Sequence, residues 1–426
     1  MLKDLFLSLP TNIFTNFNYL KQDYVGINFD LNIFTNLFFG FSIVLGLVLI
    51  SYLLGKKISN LLFKKGNKLN INYLLHIALG YIAFSTGIAI LGFFSFLNPT
   101  AINLYLILIL IISLHPFNKA RLIFNNIYIG IIKKINHLKK NKFIFIWICL
   151  FGFIAFINLI NPEIREDQYH VDFPKIYLEQ QTIMIPPKEG LRVSASPLLS
   201  EMTYLVGIFL WSNESARYIH FIFYILVLLT LIEFSKLNSY KFSIYTPLLF
   251  ATAPVVIHET SSMYVDFQWI FFFLLSILIL IYKKKNTHST IALSGLLLGG
   301  MLASKLWTIV FIPVSIFFIL FTNDKIQIKL KFAALFIVTC LIAPSIWFLR
   351  SFLLTGTPLY PAFINDLNLE NKVAGFNLSD FFGINYPLFN PIPYANVFST
   401  LFFLGILLMS YPSTRICITQ INIWDA

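Results

Sequence analysis

The 426-residue sequence contains little charge and little cysteine. Only 12% of the residues are charged, and just 19 are acidic. A chain with 58% apolar residues and so few charges cannot cover a water-facing surface, which excludes an ordinary soluble domain. Three cysteines, two of them inside apolar runs (Cys149 and Cys340), do not provide a disulfide framework.

Long apolar runs dominate the rest, and the mean hydropathy is +0.77. The runs are continuous rather than alternating, which favours membrane-spanning helices over a barrel. Short Lys/Arg clusters separate them, and this pattern explains the net charge of +12 better than nucleic-acid binding does. We therefore predict an all-α integral membrane protein with about eleven transmembrane helices. The predicted spans are 31–54, 73–96, 101–114, 143–160, 215–234, 244–257, 263–282, 290–321 (crossing twice), 332–349 and 397–409.

The basic clusters also orient the chain. Lysines that follow residues 31–54 and 263–282 should face the cytoplasm, because basic loops stay on that side. Residues 161–204 then form a long outer loop after the fourth span, within which the apolar residues 198–211 predict a half-embedded helix. A polar loop of this length indicates a working part. It holds seven of the 19 acidic residues: Glu163, Glu166, Asp167, Asp172, Glu179, Glu189 and Glu201.

One apolar stretch, residues 290–321, has basic residues at both ends. Both ends should be cytoplasmic, so the stretch should cross twice, with a turn near Ser304 and Lys305. A lysine at that turn either belongs to a functional site with an anionic partner or extends its side chain to the outer headgroups. Close helix packing is favoured by three glycines before the turn, Gly295, Gly299 and Gly300.

Four motifs follow one another between residues 160 and 361. They are Tyr169-His170 after an acid, with Pro174-Lys175, Ser196-Pro197, Glu201 and Tyr204; Ala253-Pro254 with Met263-Tyr264-Val265-Asp266; a glycine-rich run from Gly295 to Lys305; and Pro344 to Arg350 with Thr355 to Pro361. In order and spacing they resemble the multi-spanning glycosyltransferases of the GT-C superfamily, which includes the bacterial lipid A aminoarabinose transferase and the protein O-mannosyltransferases.

The resemblance implies a GT-C-like fold and an inverting glycosyltransferase in the cell (inner) membrane, with its catalytic loop on the periplasmic or outer side. The implied partners are a polyprenyl-phosphate sugar donor, membrane lipids and a glycan, lipid or protein acceptor, with no nucleic acid. A divalent metal is the one cofactor left open. His170 and His258 are candidate ligands, but they lack a metal-binding spacing, and structural histidines at the membrane interface are the alternative.

A carboxylate must take the proton of the acceptor in this reaction. In the superfamily the catalytic aspartate stands four residues before the tyrosine, where this chain has Arg165. We therefore expect Asp167, ahead of Glu166, to be the catalytic carboxylate, with Glu166 or Asp266 assisting; the other interpretation of Arg165 is that the catalytic role has been lost. Alternatively, Asp167 and Glu166 are solvated charges of the loop. Asp266 would then lie at the N-terminus of a helix because the helix dipole favours a carboxylate there.

Cationic side chains must hold the leaving phosphate. Lys305 and Arg350 lie at the predicted outer face, and Lys175 or Arg165 is expected to join them, because ammonium and guanidinium groups bind phosphate. Further substrate or lipid-phosphate contacts are expected from Tyr169, His170, Glu201 and Tyr264.

The chain divides into three predicted parts. Residues 1–142 hold N-terminal helices and a basic cytoplasmic segment, 143–361 the GT-C-like catalytic module, and 362–426 an outer loop, a last span and a short tail. The early end predicts that related chains are longer or that this one is a fragment.

The alternative function is a polytopic transporter or flippase of envelope lipid precursors. Such a protein should place ionisable residues near the bilayer midplane rather than at one face.

Overall fold

A computed structural model describes the part of the chain that carries most of the predicted site. The chain divides into two compact units, Met1–Phe39 and Gly40–Ala426. Within the described residues the first unit contributes only the opening turns of one helix. The described residues are 31–62, 71–115, 128, 129, 132, 136, 139, 142–160, 168–187, 195–237, 245–282, 287–321 and 325–360.

These residues form α-helices and 3₁₀ turns, and they contain no strand. A 3₁₀ helix, Leu306–Phe311, lies between the eleventh and twelfth α-helices. The α-helices are α1 (Leu31–Leu62), α2 (Asn72–Phe93), α3 (Pro99–Leu114), α4 (Lys142–Ile160), α5 (Gln168–Gln180), α6 (Leu199–Leu210), α7 (Glu214–Leu237), α8 (Thr246–Thr252), α9 (Pro254–Glu259), α10 (Asp266–Tyr282), α11 (His288–Ser304), α12 (Ile312–Leu320), α13 (Ile326–Cys340) and α14 (Ser345–Thr355).

Some of these helices are long and apolar enough to cross a membrane. Among the described residues, three segments meet that criterion: Leu37–Leu62, Asn72–Phe93 and Glu214–Ser235. The pair α13 and α14, bent by 62°, makes a fourth if it forms one broken span. The all-helical class is thus confirmed for the described part, while the total of about eleven spans stays a prediction. The predicted span 397–409 lies outside the described residues.

Prolines divide two of the predicted spans. The described part of the predicted span 244–257 consists of α8 and the first turn of α9, separated at Ala253, whose ψ is 124°. A residue before proline is pushed out of the helical region by the proline ring, which explains the break. Residues 332–349 are likewise divided, because α13 ends at Cys340 and α14 begins after Pro344. Both segments are therefore interrupted helices, and their crossing of a membrane stays a prediction.

Helix α6 lies at the centre of the described fold. Its residues 199 to 207 are all buried, and it packs against α2, α5, α7 and α11. Polar side chains join it to α2, since the Ser85 and Thr203 hydroxyls are 2.7 Å apart and the Tyr81 hydroxyl donates to the Ser200 carbonyl at 3.3 Å. The sequence correctly predicted a helix here, and its depth in a membrane stays a prediction.

Glycines bring α11 and α13 into close contact. A Cβ atom on Gly295 would lie 2.6 Å from the Phe336 carbonyl oxygen, and one on Gly299 would lie 2.4 Å from the Cys340 carbonyl oxygen. Both distances are shorter than real carbon–oxygen contacts, so only glycine fits at this separation of the helices. The predicted packing role of these glycines is confirmed.

Candidate active site

Asp266 and Lys305 form an ion pair at one end of the α10–α11 hairpin. Asp266 is the first residue of α10, and Lys305 follows the last residue of α11, at the turn that the sequence predicted. The Lys305 Nζ lies 2.9 Å from Asp266 Oδ1, and the Trp269 indole N–H donates to the same oxygen at 2.8 Å. The macrodipoles favour an anion at a helix N-terminus and a cation at a C-terminus, so both helices stabilise this arrangement.

The ion pair is only partly covered. The relative exposure of the side chains is 30% for Lys305 and 25% for Asp266. Burial opposes the charge of Lys305, but the adjacent Asp266 carboxylate outweighs it and raises the pKa of the lysine. Both hydrogen bonds that Asp266 accepts within the described residues fall on Oδ1. Its Oδ2 accepts no hydrogen bond from the described residues.

A second acid–base pair, His170 and Glu201, is fully buried. His170 comes from α5 and Glu201 from α6, and His170 Nδ1 lies 2.5 Å from Glu201 Oε1. The relative exposures of the two side chains are 2% and 0%. His170 Nε2 and Glu201 Oε2 are buried and have no hydrogen-bond partner in the described part of the chain. The rings of Tyr169 and Tyr264 lie 3.9 Å and 5.9 Å from the imidazole, measured between ring centroids.

A chain of hydrogen bonds joins α6, α7 and α10 beside these pairs. His220 Nδ1 lies 3.0 Å from Gln268 Oε1, and Gln268 Nε2 donates to the Tyr204 hydroxyl at 2.6 Å. The Tyr204 hydroxyl donates in turn to the Tyr264 carbonyl oxygen. This chain ends two residues before Asp266, so it fixes the turn that presents the carboxylate.

The two acid–base pairs belong to one electrostatic cluster. Glu201 acts on Lys305 through its charge, and both Asp266 and His170 act on His220. We call these five residues the polar cluster. Because α5, α6, α7, α10 and the end of α11 each contribute one member, the cluster depends on the packing of the whole helical core.

Arg350 was predicted to bind phosphate at the outer face, but in the structure it is buried and bonded to other parts of the chain. Its side chain is completely buried. Its Nε donates to the Ile183 carbonyl at 2.6 Å, one terminal nitrogen donates to the Ser196 carbonyl at 3.4 Å, and the other donates to the Tyr177 hydroxyl at 3.1 Å. The Trp347 ring lies 5.5 Å from the guanidinium carbon. We call this group the Arg350 clasp, and it holds the segments on both sides of residues 188–194.

The other predicted site residues are distributed differently. Lys175 is part-exposed on α5, with its Nζ 3.9 Å from Asp172 Oδ1. Asp167, Glu166 and Arg165 lie outside the described residues. In the residues that are described, no three His, Cys, Asp or Glu side chains are grouped so as to hold a metal ion. Of the predicted residues, the structure therefore groups His170, Glu201, Tyr264, Asp266 and Lys305, with Tyr169 beside them.

Sequence reasoning missed several members of this region. His220, Gln268 and Trp269 were not selected, although the first two are polar residues inside apolar runs, which is a recognised sign of function or specific packing in a membrane. The Ser200 and Ser304 hydroxyls, 3.0 Å apart, join α6 to the end of α11 next to Lys305. Serine is too common in such helices to provide a sequence signal.

Comparisons with models of protein families, with curated proteins and with solved structures found no match.

Proposed function

We propose that this protein is a membrane glycosyltransferase. It moves a sugar from a polyprenyl-phosphate-linked donor to a cell-envelope acceptor on the outer face of the cell membrane. The observation that carries the proposal is the part-exposed Asp266–Lys305 pair, which combines a carboxylate and a phosphate-binding cation. The resemblance of the four sequence motifs supports the same chemistry.

In the proposed reaction, an acceptor hydroxyl attacks the anomeric carbon of the donor. The new bond joins the acceptor oxygen to that carbon, the bond from carbon to phosphate oxygen breaks, and polyprenyl phosphate leaves with the bonding electrons. The acceptor proton passes to a carboxylate. Asp167 is the expected base by resemblance, and Asp266, through Oδ2, is the assisting carboxylate that the described residues provide.

Lys305 holds the leaving phosphate in this mechanism. An ammonium group has three N–H donors, and among the described residues Lys305 gives one of them to Asp266 Oδ1. Two donors remain for phosphate oxygens, and their positive charge offsets the charge that develops as the phosphate leaves. The ion pair also keeps Lys305, which binds the phosphate, next to Asp266, the assisting carboxylate.

The alternative is a transporter or flippase for envelope lipid precursors. The buried ionisable side chains of Glu201 and His220 within helices favour it, because such groups mark transport paths in membrane proteins. In that case the protein moves the lipid without breaking the sugar–phosphate bond.

Mass spectrometry of polyprenyl-phosphate sugars in the host separates the two functions. We would compare wild-type cells with a deletion strain and with the variants Asp167→Asn and Asp266→Asn, using exposed Asp172→Asn as the matched control. The glycosyltransferase predicts one donor species that accumulates in the deletion and in at least one of the two site variants, but not in the control. Accumulation in the deletion alone favours the transporter, and an unchanged donor pool in the deletion contradicts both.

A further inference from the structure

The hydrogen-bond chain through Tyr204 determines the protonation pattern of His220. The Tyr264 carbonyl can only accept, so the Tyr204 hydroxyl uses its single proton there. Gln268 must then offer its N–H₂ group to the Tyr204 oxygen, which turns its carbonyl oxygen towards His220. His220 consequently donates through Nδ1, and Nε2 of the neutral ring carries a lone pair. That atom is buried and has no hydrogen-bond partner among the described residues.

His170 shows the same pattern on the neighbouring helix. A carboxylate can only accept a hydrogen bond, so the bond to Glu201 places the imidazole proton on Nδ1. In the neutral imidazole the opposite ring nitrogen again carries a lone pair, and it lacks a partner in the described part of the chain, as does Glu201 Oε2. Each side chain is at least nine-tenths buried: His170 at 1%, His220 at 0% and Glu201 at 0% exposure.

Three buried acceptors without a donor are costly, because each loses its hydrogen bonds to water without replacement. The three atoms belong to the polar cluster, beside the ion pair that would hold the phosphate of the donor. Acceptors are satisfied by hydroxyl groups. A metal ion fits less well, because a bound metal needs three or four ligands, and the described residues contain no group of three.

We propose that His170 Nε2 and His220 Nε2 accept hydrogen bonds from hydroxyl groups of the transferred sugar. This inference rests on the proposed glycosyltransferase function and adds to it a sugar subsite, with two uncharged acceptors that select hydroxyl-bearing rings. Glu201 acts through His170 and is a positioning residue, because it fixes which imidazole nitrogen carries the proton.

The test compares lipids that differ only in the sugar. The probes are prenyl-phosphate glucose, galactose and mannose, and the methyl phosphodiester of the same prenyl alcohol, which has the same charge but no hydroxyls. Binding is measured to the full chain in nanodiscs. At least one sugar lipid should bind about thirtyfold more tightly than the methyl diester, the gain from two hydrogen bonds. His170→Phe and His220→Phe should each remove about fivefold of that gain.

His76→Phe is the matched control, because His76 is a buried histidine on α2 outside the polar cluster. It should leave the preference for the sugar lipid intact. Equal binding of sugar lipid and methyl diester by the wild type overturns the subsite, and indicates water as the partner of the two nitrogens. A preference that survives both cluster variants also overturns it. If neither lipid binds, the proposed function fails, and the sugar subsite fails with it.

Nitrogen NMR of the wild-type protein, labelled with ¹⁵N-histidine, avoids any dependence on how the variants fold. Resonances of His170 and His220 should show protonated Nδ1 and unprotonated Nε2, and saturating sugar lipid should shift both Nε2 signals while the methyl diester does not. A proton on Nε2 in the free protein contradicts the subsite. A zinc ion that shifts both signals and resists displacement by the sugar lipid assigns these atoms to a metal instead, and also overturns it.

Discussion

The Asp266–Lys305 pair and the Arg350 clasp use the same interaction types in opposite ways. The first has both side chains about a quarter to a third exposed, whereas Arg350 is completely buried and each of its three nitrogens donates to a protein acceptor. The sequence placed Lys305 and Arg350 in the same phosphate-binding role. The difference shows that two lone cations with the same expected role can differ completely in exposure and in their partners.

Arg350→Met should give the largest loss of stability. The change leaves the carbonyls of Ile183 and Ser196 and the hydroxyl of Tyr177 without their donor in the interior, and we expect the free energy of unfolding to fall by about 4 kcal/mol. Denaturation in detergent micelles measures it. Arg217→Met is the control, since its partner Glu214 is 40% exposed, and it should cost less. Equal losses in the two variants would show that the clasp has no special structural role.

Glu201→Ala should have the next largest effect. It removes one partner of a buried pair and leaves a cavity, for which we expect a loss of about 3 kcal/mol in the free energy of unfolding. Glu201→Gln keeps a hydrogen-bond acceptor for His170 Nδ1 and should lose less. The same denaturation measurement applies, and an alanine variant as stable as the glutamine variant contradicts the pairing.

The Asp266–Lys305 pair should contribute little to stability and much to activity. A double-mutant cycle with Asp266→Asn and Lys305→Met should give a coupling of about 1 kcal/mol in the free energy of unfolding, while turnover of the lipid donor is lost in each variant. Because Asp266 raises the pKa of Lys305 above its usual range, the stabilisation by the charged lysine is present at neutral pH and is lost as the pH rises through the raised pKa. A coupling as large as the loss of unfolding free energy in Arg350→Met, with turnover retained, would show that the ion pair is structural and not catalytic.

Lys175→Ala should have the smallest effect. Its Nζ lies 3.9 Å from Asp172, and both side chains are more than a third exposed, so the pair should add nothing measurable to stability. If Lys175 also joins the phosphate site, as the sequence predicted, binding of the lipid donor should weaken while the unfolding midpoint stays constant. Unchanged donor affinity would remove this residue from the site.

The sequence predicted the features that depend on local chemistry. The sequence predicted a turn near Lys305, and α11 ends directly before this residue. The glycines correctly indicated a close helix contact. The consequences of Pro254 and Pro344 for two spans were missed, although the rule that a proline disfavours the helical conformation before it was sufficient to suggest them. Such helix breaks can be predicted from the sequence if the residues before each proline are considered.

The partners of the site residues could not be predicted in the same way. Asp266 and Lys305 are both charged residues beside long apolar runs, so each can be noticed in the sequence. Their contact depends on α10 and α11 packing with the start of one helix beside the end of the other. His220 and Gln268 lie on helices that are apolar all around, so no polar stripe shows which side faces the other. Periodicity predicts facing residues only where one face differs from the rest.

The contact of Gly299 with the Cys340 carbonyl also sets how the ion pair can move. Two backbones in direct contact leave no flexible side chain between them, so we expect α11 and α13 to move together. Lys305 comes directly after the last residue of α11, close to this contact. The turn before Asp266 is fixed as well, by the hydrogen bond from Tyr204 to the Tyr264 carbonyl. When a bulky donor enters, both charged groups should therefore keep their positions.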